Sequence, residues 1–258
     1  MELAGKVAVV TGAGGGGCGR AVARRMAREG AAVVVSDINE RGGRETVGLI
    51  EAAGGRAAFF RADVGVEAEI KALIAFTEKT YGGLEVLVNG AGPYWPEPLG
   101  HWFESVQANL LGAMYGTFHS LEAMRRRGGG AIVNFGSTSA VGHGRKHSPS
   151  PAYDVAKAGV MRLTTTLAWL REKEKIRVNC IVPDWVATPE VKEYWDGLTP
   201  QHRKAHGVPD VLITLDQIAG DVVRLATDET LAGRVMIHWC GQPPRLIPVG
   251  DPGYSALE

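Results

Sequence analysis

Cysteine is scarce in this chain. Cys18, Cys180 and Cys240 are three in 258 residues. They are odd in number and far apart, which argues against a disulfide framework and against a zinc site. The chain also lacks a run of about 18 apolar residues that could cross a bilayer. Its opening, Met-Glu-Leu-Ala-Gly-Lys, has no basic stretch followed by an apolar one. A reduced cytoplasmic protein with no membrane contact is the expectation. Net charge is absent as well, with 28 Lys and Arg against 28 Asp and Glu. Without a bulk positive field, nucleic acid is not an expected partner. The run Arg125-Arg126-Arg127 reads as a solvated helix end, where cations suit the dipole. No cluster of ligand residues suggests a metal.

The chain does have 45% hydrophobic and 22% charged residues, enough for one sizeable core across 1–258. Short apolar runs alternate with amphipathic stretches. Strands are expected over Lys6–Val10, Ala32–Ser36, Ala57–Arg61, Leu84–Val88, Ala131–Phe135, Arg177–Val182 and Arg234–Trp239. Helices are expected over Arg20–Glu29, Glu40–Ala53, Glu67–Tyr81, His101–Arg126, Ala152–Glu172 and Leu215–Thr227. This alternation predicts an α/β protein, a doubly wound Rossmann fold. Its sheet is expected to have seven mostly parallel strands with helices on both faces. The proline-containing tail after Cys240 is expected to run over the surface.

Two motifs carry chemistry. Thr11-Gly12-Ala13-Gly14-Gly15-Gly16-Gly17-Cys18-Gly19 lies between a strand and a helix, where glycines let backbone approach a pyrophosphate. Gly12, Gly14, Gly17, Cys18 and Gly19 are the cofactor candidates there. Asp37 ends the second strand and can accept hydrogen bonds from an adenosine ribose while repelling a 2′-phosphate, which favours NAD over NADP. A helix cap is the alternative role, and Asn39 can fill that instead. The second motif is Tyr153 and Lys157, one helical turn apart on one face. A phenol titrates near ~10, and a nearby cation should pull it down toward use as a base.

In order along the chain stand the glycine loop, Asn89-Gly90-Ala91-Gly92, Ser137, and Tyr153 with Lys157. Together they resemble the short-chain dehydrogenase/reductase family over nearly the whole chain. Asp63-Val64 resembles its adenine-contacting pair, Asn109 its tetrad asparagine, and Arg177 to Pro183 its strand toward the nicotinamide. The resemblance implies catalysis by Asn109, Ser137, Tyr153 and Lys157. It implies cofactor contacts from Asp63, Val64, Asn89, Ala91, Gly92, Tyr153, Lys157, Pro183, Val186 and Thr188. Tyr153 would exchange the proton, Ser137 hold the substrate oxygen, Lys157 tune the phenol and hold a ribose, and Asn109 order a water. A homotetramer or homodimer is also implied. Met114, Phe118, Met161, Leu167 and Trp169 spread apolar surface beyond one stripe, consistent with that.

The sequence departs from the family pattern in four places. The loop has one glycine too many among Gly14, Gly15 and Gly16. Asp184 stands where glycine usually follows the proline, and Gly90 replaces a common asparagine. The Ser137–Tyr153 interval is longer than common through Gly142–Pro151, with His143 and His147 read as solvated loop residues. Tyr94, Trp95, Trp185, Tyr194 and Trp195 are expected to line an apolar substrate pocket. The end of the chain is loosely similar to the NAD-dependent 15-hydroxyprostaglandin dehydrogenase subgroup. An NAD-dependent oxidoreductase of bulky hydrophobic secondary alcohols or ketones is the leading expectation. An NADPH-dependent ketoreductase of the 3-oxoacyl type is the second, and a non-catalytic cofactor-sensing or scaffold protein the third.

Overall fold

A computed structural model describes residues 1–97, 99–141 and 148–250. Seven parallel strands run β1 (Val7–Thr11), β2 (Ala32–Asp37), β3 (Arg56–Arg61), β4 (Val86–Asn89), β5 (Gly130–Phe135), β6 (Ile176–Pro183) and β7 (Val235–His238). They lie side by side in the order β3-β2-β1-β4-β5-β6-β7. The expected sheet gains one strand. Arg245–Leu246 (β8) pairs antiparallel with β7, so part of the supposed surface tail closes the sheet edge.

Side chains alternate between the two faces of β1, as a period of two requires. Ala8 and Val10 join a core with Val22, Ala23 and Met26 of α1 (Cys18–Arg28) and Ile218 and Val222 of α10 (Leu215–Thr227). Val9 faces the other way, toward Ile70, Leu73 and Ile74 of α3 (Glu67–Tyr81) and Met124 of α5 (Gly112–Arg126). Burial on both faces explains why β1, β2 and β4 read as unbroken apolar runs.

Two expected long helices are interrupted. His101–Arg126 divides into α4 (Trp102–Val106), a π-turn (Gln107–Leu111) and α5. Ala152–Glu172 divides into α6 (Pro151–Thr166) and α7 (Leu170–Glu174). At that break Thr164, Thr165 and Thr166 turn their hydroxyls back onto the carbonyls of Val160, Arg162 and Leu163. Such back-bonding competes with the helical ladder. The remaining helices are α2 (Glu40–Ala52) and two between β6 and α10 that periodicity did not disclose, α8 (Pro189–Asp196) and α9 (Pro200–His206). The three consecutive arginines are paired rather than merely solvated: Arg125 with Glu174, Arg126 with Glu78, and Arg127 with Glu85.

Strand order reverses between β1 and β4, which opens a crevice at their carboxyl ends. No helix among the described residues is long and apolar enough to cross a membrane.

Candidate active site

The crevice is held together by backbone. Gly12 has φ of 71°, and a Cβ there would lie 2.7 Å from the Ala91 backbone. Only glycine permits that approach. Thr11 latches the same junction, its Oγ1 accepting from the amides of Gly90 (3.1 Å) and Ala91 (3.2 Å). Sequence reasoning passed over Thr11; a hydroxyl at the last position of the strand was its only signal. Gly17 caps α1, and its place for a Cβ faces the methyl of Thr188 at 3.3 Å. Thr188 in turn caps α8 by accepting from Val191. The loop and the start of the α8 segment therefore meet.

Asp37 faces this loop. Its Oδ2 accepts from the Gly14 amide at 2.7 Å and its Oδ1 from the Asn39 amide at 2.9 Å. Asn39, not Asp37, caps α2, through Gly42. A carboxylate offers about four lone-pair positions, so each oxygen keeps capacity for a hydroxyl. The guanidinium nearest the loop, Arg20, is bound to Thr46, Glu45 and the carbonyls of Gly14 and Gly42. Farther along, Asp63 accepts from Gly65, and Gln107 of the π-turn ties down the Gly65 carbonyl. Val64 packs where a Cβ of Gly112 would stand. Asn89 points inward, donating to Asn134 at 2.8 Å, and Asn134 donates to Thr164 at 3.0 Å. The side chain of Asn89 is thus a core latch, leaving backbone as its contribution to the crevice. Val186 is buried and bridges Ile213, while Pro183 ends β6 opposite His238.

The π-turn places Asn109. Its Nδ2 donates to the Pro93 carbonyl at 3.0 Å, and its buried Oδ1 has no partner. Asn109 Oδ1 and Lys157 Nζ converge where a Cβ of Gly92 would stand, so glycine is required there. Lys157 is buried, donates to the Phe135 carbonyl at 2.9 Å, and lies 5.4 Å from the centre of the Tyr153 ring. Tyr153 lies close enough to the Ser137 hydroxyl for that hydroxyl to favour its ionised form. The four residues are therefore successive neighbours along the crevice, Asn109 beside Lys157, Lys157 beside Tyr153 and Tyr153 beside Ser137.

Their protonation differs from the sequence expectation. Burial pushes the Tyr153 phenol up to about 12, with the Ser137 hydroxyl opposing it. Burial also pulls the Lys157 ammonium down to about 8. Spacing predicted the contact, but desolvation dominates both shifts. Cys18, beside this pair at the start of α1, is pushed up to about 11 by its own burial.

The five aromatics divide. Tyr94 meets the Tyr153 ring edge-on at 5.1 Å, and Trp185 stacks on Tyr194 at 6.1 Å. Trp95 instead stacks on His101. Trp195 donates to the Pro209 carbonyl and lies under Arg203, bracing α8 against α9. Asp184 turns across the strand ends. Its two oxygens accept from Thr138 Oγ1 at 3.2 Å and from the Cys240 amide at 3.3 Å. Pro98, His143, His147 and the end of the chain from Asp251 lie outside the described residues. Among the described residues no three His, Cys, Asp or Glu side chains gather to hold a metal. A charged cleft at the amino ends of β1, β4, β5 and β6 is structural in large part: Arg177 donates to the carbonyls of Leu225, Ala226 and Asp228 at the end of α10.

A glycine cradle at a switch point, beside a buried lysine and a half-buried tyrosine with an unpartnered amide oxygen, fits a nicotinamide dinucleotide and defines an oxidoreductase. Comparison with known proteins agrees. Residues 6–198 match the model of the short chain dehydrogenase family. The chain belongs to that family. It is similar to a 2,5-dichloro-2,5-cyclohexadiene-1,4-diol dehydrogenase of Sphingobium indicum, 36% identical over 217 residues, 80% of this chain and 84% of the relative. It is also similar to a cis-4-hydroxycyclohexanecarboxylate dehydrogenase of Sinomonas cyclohexanicum, 38% identical over 193 residues, 72% and 75% of the two chains. Among solved structures, 7α-hydroxysteroid dehydrogenase, complexed with NADH and 7-oxo glycochenodeoxycholic acid, superposes with a TM-score of 0.83. That pair is 28% identical, covering 92% of this chain and 93% of the other.

Proposed function

We propose that this protein is an NAD-dependent dehydrogenase of hydrophobic, ring-borne secondary alcohols and the corresponding ketones, in which one Rossmann-type unit both binds the cofactor and catalyses. The succession Asn109–Lys157–Tyr153–Ser137 carries the reading. A bound nicotinamide supplies the hydride acceptor or donor. Gly12, Gly14, Gly17 and Gly19 would hold its pyrophosphate at the start of α1, and Lys157 a ribose. The Ser137 hydroxyl holds the substrate oxygen, and Tyr153 removes or returns the proton there. Lys157 favours the ionised phenol when it carries its own proton. Asn109 Oδ1, an acceptor without a protein partner beside that ammonium, suits a relay water between Lys157 and solvent.

Asp37 supports NAD. Its carboxylate stands against the phosphate loop, and the adjacent cation, Arg20, is already engaged by Glu45 and two carbonyls. A 2′-phosphate there would meet the Asp37 carboxylate, and Arg20, so tied, is not free to offset it. Tyr94 beside Tyr153, and the Trp185–Tyr194 stack, suit an apolar ring. The names of the two relatives, a cyclohexadienediol and a hydroxycyclohexanecarboxylate dehydrogenase, support a cyclic substrate.

The test is turnover of a panel of cyclic secondary alcohols with NAD and with NADP, followed as nicotinamide absorbance. The expected kcat/KM is at least tenfold higher with NAD, and Asp37→Ala narrows the gap. Tyr153→Phe loses more than 90% of kcat while cofactor affinity stays within threefold. A preference for NADP in the wild type overturns the cofactor reading; a tenth or more of kcat retained by Tyr153→Phe overturns the proton-transfer role.

A further inference from the structure

Ser137 lies on a short turn. Gly136 is the last residue tied to β6 through its amide, which donates to the Ile181 carbonyl at 2.8 Å. Beyond it, the amides of Ala140 and Val141 bond within the turn, to the carbonyls of Ser137 and Thr138. The Ser137 hydroxyl also has a local competitor, Ser139, whose Oγ lies 2.9 Å away and whose amide donates to it at 3.3 Å. Local bonds alone would let the turn rotate Ser137 away from Tyr153. Among the described residues, one further side-chain bond links this turn to neighbouring strand ends: Thr138 Oγ1 to Asp184 Oδ1 at 3.2 Å.

Asp184 is itself fixed on three sides. Its amide donates to the His238 carbonyl at 2.9 Å, its Oδ2 accepts from the Cys240 amide at 3.3 Å, and it continues from the last residue of β6. His238 is anchored in turn, with its ring 2.6 Å from Asp221 of α10. The carboxylate therefore spans the ends of β5, β6 and β7.

We propose that Asp184 is a positioning residue. It clamps the Ser137 turn through Thr138 and so holds the serine hydroxyl in line with Tyr153. The inference rests on the reading of Ser137 as the group that holds the substrate oxygen. A glycine at position 184, common in the family, has no side chain to accept that bond, so the clamp belongs to this chain. Misplacing a catalytic group by about 1 Å can cost on the order of 10²-fold in rate.

The experiment measures kcat for a cyclic secondary alcohol with NAD, together with the NAD dissociation constant. The proteins are wild type, Asp184→Ala, Thr138→Val, Thr138→Ser, Ser137→Ala, and Ser137→Ala combined with Asp184→Ala and with Thr138→Val. Asp184→Ala and Thr138→Val are expected to lower kcat roughly tenfold with NAD affinity within twofold. Thr138→Ser, which keeps the hydroxyl, should restore at least half of wild-type kcat. In the Ser137→Ala background neither change should lower the residual rate by more than twofold, because the group they position is gone. If Asp184→Ala fails to fold, the milder Thr138→Val pair decides alone. Wild-type kcat in Thr138→Val, or an equal tenfold loss in the Ser137→Ala background, overturns the clamp and leaves the role of Ser137 standing. Full kcat in Ser137→Ala overturns that role and the clamp with it.

Discussion

Lys157 is an ammonium with a carbonyl, a phenol ring and little solvent around it. Burial disfavours its charge and equally disfavours the charge of Tyr153, so one group is pulled down to about 8 and the other pushed up to about 12. The pair loses its first proton near the lower value, and that proton belongs to both groups. Once it has gone, one arrangement of the remaining proton leaves Tyr153 ionised beside charged Lys157, the form that accepts a proton from an alcohol. Alcohol oxidation should therefore rise with pH to a plateau, its kcat/KM profile inflecting nearer 8 than 10. Ketone reduction needs the protonated pair and should decline over the same range. In Lys157→Met the remaining proton sits on a desolvated phenol alone, so the inflection should move above about 10, and cofactor affinity should weaken. An inflection that stays in place would separate Lys157 from the chemistry. The pair was legible in sequence because a spacing of four puts two side chains on one helix face. Their desolvation was not, because it depends on α6 lying against β5 and β6, a tertiary fact. For that reason the direction of the phenol's shift came out opposite to what spacing alone suggested.

At the scale of elements, the glycine loop shows how unequal similar residues can be. Six of the eight positions from Gly12 to Gly19 are glycine, and no single-residue property ranks them. The fold does: a Cβ on Gly19 would run into the Gly12 carbonyl, whereas Gly15 faces open space apart from its own loop. The glycine in excess of the family spacing is accordingly best assigned to Gly15. Gly19→Ala should weaken NAD binding by tenfold or more and lower the melting temperature by several degrees, since backbone must move. Gly15→Ala should leave both within twofold and about 1 °C. Titration calorimetry and thermal unfolding on the two variants check this, and equal losses in both would remove the assignment. The same limit governed the helices. The existence of the long ones followed from the alternation of strands and helices, as α3 and α10 show. The π-turn that aims Asn109 did not follow, because a local change in hydrogen-bond register leaves almost no trace in an apolar pattern. Nor did α8 and α9, two short helices with no fully buried residue to give them a stripe.

For the whole molecule, the open question is what covers α4, α5 and α6. Phe103 on α4 is 85% exposed, Phe118 on α5 is 69% exposed and Val155 on α6 is 65% exposed. Met114 and Trp169 are exposed by nearly half, while Met161 and Leu167, also expected on this surface, pack into the core instead. Exposed aromatics on neighbouring helices are unusual in a monomer and mark association surfaces. Another copy of this chain is the occupant consistent with zero net charge, which leaves no repulsion to oppose self-association. The protein should therefore sediment as a homo-oligomer, a dimer or tetramer, at micromolar concentration. A closed, symmetric interface brings each patch against its own copy, so one substitution acts on both sides of the contact. Phe118→Glu combined with Phe103→Glu would place like charges across such a contact and cost several kcal/mol. That variant should sediment as a monomer with an unchanged circular dichroism spectrum, because neither ring contributes to the core. A wild-type monomer at micromolar concentration would refute self-association. An oligomer that survives both substitutions would move the interface elsewhere on the molecule.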